Sequence, residues 1–167
     1  MKFKFGVLFF LLTLSTSLAY ADVVEGSAST NSGRHYGLGF ASMSTGVGNS
    51  TMLTGWIPFK PSMGIQAYLG VPTTAGSFNF LAGGAFKATI AGNSQAAIHV
   101  GGNLLLGALA SNFTVAFGGL AGAHFTVAPS VLLSVDGGPQ LTIVGGTANF
   151  SLGALSSLLG ASLIFLF

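Results

Sequence analysis

Lys87, His99, His124 and Asp136 are the residues of this chain with the most capacity for chemistry. An ammonium, two imidazoles and a carboxylate can exchange protons, pair as ions, or ligate a metal. With Ser134 nearby, they also invite a nucleophilic triad. A triad needs the serine hydroxyl on a histidine with the acid behind it. Here Ser134 stands two residues from Asp136, with no distinct oxyanion element beside it. Two histidines and one carboxylate on neighbouring strands are not a distinctive metal spacing. The chain has no cysteine, which excludes disulfides and thiolate sites. The residues thus point to no enzyme, no metal and no cofactor. What remains is electrostatics. Asp136 is the only acid after Glu25, so Lys87 or a histidine is its natural partner, since a stranded buried charge is expensive. The first reading is a polar network that stabilises and fills an interior. The second is a selectivity or proton-sensitive constriction.

Those four residues share a face only if the chain is built of strands, and the hydropathy alternates with period 2. Over 114–127, Val115, Phe117, Phe125 and Val127 oppose Thr114, Gly118, Gly122 and His124. Over 78–90, Phe78, Phe80, Phe86 and Ile90 oppose Asn79, Gly83, Lys87 and Thr89. Ile98, Val100, Leu104 and Leu106 likewise oppose His99, Gly101, Asn103 and Gly107. One face is lipid-like and the other collects the small and polar groups, as in a transmembrane barrel strand.

Charge and leader agree with a lipid environment. Only 5% of residues are charged, against about 25% in soluble domains. Residues 1–21 carry Lys2 and Lys4, a short apolar run from Phe5 to Leu12, and the sequence Ala19-Tyr20-Ala21. That is the pattern of a secretory signal peptide cleaved after Ala21. Its removal leaves three cations and three acids, so the remaining chain is formally neutral. No basic cluster survives to neutralise phosphates, and nucleic acid is not an expected partner.

In lipid only helices and closed barrels satisfy the backbone. Residues 152–167 are the one uncharged run that competes as a helix, but they are short for a span and carry no flanking Lys or Arg. The alternation predicts an all-β, closed antiparallel up-and-down transmembrane β-barrel of eight strands over 34–167. The strands fall at 34–44, 51–60, 63–72, 78–90, 96–108, 114–128, 130–144 and 154–167. Residues 22–33 form a flexible periplasmic lead-in. Lys60-Pro61-Ser62, 91–95 and Ala128-Pro129-Ser130 make turns at one end. Residues 45–50, 72–77, 109–112 and 145–149 make the loops at the other. Arg34, His35 and Tyr36, with Trp56, Tyr68 and the phenylalanines, are expected as interfacial anchors.

The last strand ends Leu163-Ile164-Phe165-Leu166-Phe167, with Leu163, Phe165 and Phe167 at alternate positions. This resembles the sorting signal of bacterial outer-membrane barrels, and the resemblance implies the barrel-assembly machinery as a partner during biogenesis. In size and architecture the chain resembles the small eight-stranded bacterial outer-membrane barrels typified by the OmpA membrane domain and OmpX. That implies an integral protein of the outer membrane, with outer-membrane lipid around it. The reading preferred is a structural role with a side-chain-filled lumen, as eight strands normally imply. The alternative is a small passive channel for small or apolar solutes, motivated by lumen-parity glycines at 64, 70, 83, 101, 118 and 122. An outer-membrane lipid hydrolase ranks behind both. So does an adhesin, for which the expected outer loops are too short.

Overall fold

The computed structural model describes residues 35–45, 48–71, 79–109, 112–151 and 159–167. The expected signal peptide over 1–21, the lead-in over 22–33, Arg34 and the loop over 72–77 lie outside the described residues. Among the described residues ten strands run in chain order: β1 (Gly37–Thr45), β2 (Gly48–Lys60), β3 (Met63–Gly70), β4 (Phe80–Gly92), β5 (Ala96–Leu109), β6 (Asn112–Ala128), β7 (Val131–Gly137), β8 (Gln140–Val144), β9 (Thr147–Ser151) and β10 (Leu159–Leu166).

Each of β1 to β6 pairs antiparallel with the next, and β10 joins β7 to β1. The result is the expected closed antiparallel barrel of eight strands. Closure sets Gly37 opposite Leu166 and Ser44 opposite Leu159. An open edge in lipid would leave each unpaired backbone group at a cost of several kcal/mol, roughly, and the β1–β10 seam removes it. Residues 159–166 are therefore a strand, not part of a spanning helix.

Prolines and bulges shape one rim. Pro61-Ser62 and Pro129-Ser130 turn the chain between β2 and β3 and between β6 and β7. At the third turn Asn93 Oδ1 accepts hydrogen bonds from the backbone N–H of Gln95 and Ala96, both at 2.9 Å. The register shifts at Pro58/Lys60, Thr89/Ala91 and Thr126/Ala128, each next to one of these turns. Bulges at a barrel rim increase twist and help the sheet curl shut.

Two expectations about strand boundaries are corrected. The single strand over 130–144 is two, because Gly138-Pro139 interrupts it and proline has no N–H for the ladder. β6 pairs with β7 over its second half and with β8 over its first. The loop over 145–149 is also mostly strand. Only Gly145 and Gly146 turn, at φ 55° and 87°, the paired positive values of a tight two-residue hairpin. Thr147–Ser151 then returns along β8 as β9. A Gly-Gly pair between apolar runs is itself a hairpin signal.

Adjacent residues show the two faces. Met52 is 1% exposed and Leu53 57%; Tyr68 is 6% exposed and Leu69 57%. Tyr68 is consequently no interfacial anchor: it faces inward between Gly64 and Gly70 and joins the apolar core. Trp56 lies on the inward parity of β2, and its ring covers Gly64 so closely that a Cβ there would overlap it. Tyr36 is exposed at the rim.

Candidate functional site

The inward face carries a polar belt and, beside it, an apolar plug. Asp136 on β7 is the hub of the belt. Its Oδ2 accepts from Lys87 Nζ at 2.6 Å, and its Oδ1 lies 2.5 Å from His99 Nε2. The carboxylate assigns the ring proton to Nε2, since an ionised acid only accepts. Lys87 also donates to Ser134 Oγ at 3.1 Å. The His124 ring stacks on His99, with centroids 5.6 Å apart and planes 13° from parallel. Lys87, His99 and Asp136 are buried and His124 is half-buried. Four residues spread over 49 positions of sequence thus form one contact chain across β4, β5, β6 and β7.

One glycine makes that contact possible. His99 and Asp136 both stand opposite Gly122, one from each side of β6. Their backbones are two strand spacings apart, about 10 Å, so the side chains must lean over β6 to meet. A Cβ on Gly122 would lie 2.7 Å from Asp136 Oδ1 and 2.8 Å from His99 Nε2, and would overlap the Val135 carbonyl oxygen. Gly122→Ala is expected to cost about 1–3 kcal/mol, the usual price of overpacking, in urea unfolding from micelles. Gly55→Ala serves as the control, since its Cβ meets nothing nearer than 3.7 Å.

Alternation alone did not single out the other half of the belt. Gln66 Nε2 donates to Thr54 Oγ1 and to Ser162 Oγ, both at 3.0 Å. Thr54 Oγ1 donates to the Ala67 carbonyl at 2.9 Å. Ser162 is the cross-strand neighbour of Ser134, which brings the two halves together. Gln66 carries the available signal: a long polar side chain on the same parity as Gly64 and Gly70.

The geometry bears on chemistry directly. Ser134 Oγ takes its hydrogen bonds from Lys87 and to Asp136, the latter at 3.4 Å. A serine held by the ammonium and the acid, with the imidazole on the far side of the acid, is not arranged as a nucleophile on its base. The contacts recorded in this cluster are ion pairs and hydrogen bonds. Next to it Met43, Met52, Leu81 and Leu105 project into the barrel, none more than 2% exposed, and pack with Tyr68 and Leu120 into one cluster. At the seam, Leu163, Phe165 and Phe167 face outward, and the Phe167 N–H donates to the Tyr36 carbonyl at 2.9 Å.

No known family model matches the sequence, and no curated protein sequence matches it. Among solved structures it is similar to outer membrane protein H (OprH) of P. aeruginosa in DHPC micelles. That likeness has a TM-score of 0.57 at 14% identity, covering 80% of this chain and 99% of that one. Neisserial surface protein A (NspA) matches at a TM-score of 0.42 and 14% identity, over 79% of this chain and 92% of that one. At such identity the likeness to OprH is one of fold: a small, closed outer-membrane-type barrel.

Proposed function

We propose that this chain is an integral outer-membrane protein with a structural role, its lumen closed by its own side chains. The observation that carries the reading is the layer of Met43, Met52, Leu81 and Leu105, buried inside the barrel beside a paired ion network. Inward glycines do not enlarge a hole where a neighbour fills the space. The Met52 side chain occupies the place of a Gly70 side chain, with its Cγ 2.5 Å from where a Cβ would stand. The outward face supports immersion in lipid: Leu38, Phe40, Leu53, Leu69 and Phe165 are all about half exposed or more. In water such a surface would be a severe aggregation liability. Conductance in a planar bilayer tests the closed lumen. Insertion without current steps is the expected result, and a reproducible ohmic conductance would establish the channel reading instead.

Export follows from the leader, with cleavage after Ala21, and delivery to the barrel-assembly machinery through the last strand. Leu163, Phe165 and Phe167 present an outward apolar row at the strand end, available to a receptor without disturbing the interior. Deleting Phe167 is expected to lower, several-fold, the amount of chain beginning at Asp22 recovered from outer membranes. Refolding yield in detergent should stay unchanged, because the residue contributes one rim hydrogen bond worth about 0.5–1.5 kcal/mol. Equal losses in both assays would argue for a stability role.

A further inference from the structure

Around Gly118, three inward side chains have no hydrogen-bond partner among the described residues. Both polar atoms of Asn103, both of Gln140, and Thr142 Oγ1 are buried and bond to no described residue. The residues are 5%, 0% and 3% exposed. They form one patch. Asn103 and Gln140 stand opposite Gly118 from its two sides, and Thr142 follows Gln140 on the same face of β8, opposite Ala116. This repeats, four residues along the same staves, the arrangement of His99 and Asp136 about Gly122. There the two side chains meet over the glycine. Here they do not.

The neighbouring inward residues are small. Asn103 has Ala85 as its other cross-strand neighbour and Gly101 two residues away on its own face. A patch of five buried polar atoms without partners is not tolerated in a folded protein, where such groups are satisfied by protein or by ordered water. The donor set names the ligand. Two carboxamides and a hydroxyl are neutral and offer donors and acceptors together. An ion would find no counter-charge, because Lys87 and Asp136 are already paired. A small neutral molecule that both donates and accepts, and takes two to four partners, is water.

We infer that Asn103, Gln140 and Thr142 form a binding site for ordered water inside the barrel. Leu120, between Gly118 and Gly122 on β6 and itself buried, separates it from the ion network. The inference rests on the filled lumen proposed above, and bilayer conductance, read separately, distinguishes a failure of that reading from a failure of this one.

The test is water-to-protein magnetisation transfer by NMR on the membrane-extracted protein in micelles. The expected result is dipolar cross-peaks from water to the side-chain amide protons of Asn103 and Gln140. In the rotating frame these should be opposite in sign to the diagonal, which separates contact from proton exchange. The variant combining Asn103→Leu with Gln140→Met should lose water peaks to the neighbouring backbone amides of Ala116 and Gly118, while the Lys87–Asp136 region is unchanged. Direct contacts between the two carboxamides without water peaks in the wild type would overturn the inference. Water peaks at Ala116 and Gly118 that persist in the double variant would overturn it too, since the water would then belong to a generally wet lumen. If the variant does not fold, the wild-type spectrum decides: amide–water peaks support the site and their absence removes it.

Discussion

Asp136→Asn is expected to lower the unfolding free energy by about 3–5 kcal/mol, the range for breaking a buried ion pair by removing one partner. The loss comes mainly from Lys87, whose ammonium sits 2.6 Å from the carboxylate with both side chains 5% exposed. Once the charge on Asp136 is gone, Lys87 keeps neutral oxygens alone among its described hydrogen bonds, the new carboxamide and Ser134 Oγ at 3.1 Å. The combination of Asp136→Asn with Lys87→Met should recover most of the loss, because no charge is then stranded. Urea unfolding from micelles followed by tryptophan fluorescence reads both variants, since Trp56 is the sole tryptophan and covers Gly64, the cross-strand neighbour of Lys87. A single-variant loss of only about 0–1 kcal/mol would mean that water screens Lys87 as it does a surface pair. That outcome would favour the open lumen over the plug. A large loss without rescue would mean that Asp136 stabilises chiefly through His99.

Leu105→Ala should cost about 2–5 kcal/mol, the span observed for truncating buried leucines. Leu105 is fully buried at the centre of the plug. Its cross-strand neighbours, Gly83 on β4 and Ala116 on β6, are small and are fixed by ladders on both sides, so the walls have little freedom to collapse into the space. Leu104→Ala, one residue away and facing outward, makes no enclosed cavity, since alkyl chains of the micelle fill in. Its loss should be clearly smaller. Similar losses at 104 and 105 in urea titrations would contradict an enclosed, well-packed interior. Together with Asp136→Asn, the pair of leucine variants separates the two supports of the closed lumen: one electrostatic, one steric.

Fold class and the two faces of the sheet are legible in the order of residues alone. Side-chain direction in a strand alternates with no exceptions between bulges, so Lys87, His99, His124 and Asp136 could be assigned to one parity without knowing any pairing. The scarcity of charge marks the other parity as a lipid-like face. Pro61, Pro129 and 91–95 marked turns through backbone chemistry that is local. Which groups meet is a different matter, because it depends on register, and register is decided by closure of β1 on β10 and by three rim bulges. Closure of the barrel is what brings Asp136 to Lys87 and His99 at once, sets Gly122 between His99 and Asp136, and lays His124 on His99. Tyr68 and Trp56 mislead when read by composition, since aromatic residues suit an interface; their parity with Gly64 and Gly70 carries them inward, where the small neighbours leave space. The break at Gly138-Pro139 and the return of β9 do not show in the count of apolar runs. A proline lacking its N–H ends one ladder, and two positive-φ glycines begin another, over a span too short for periodicity to register.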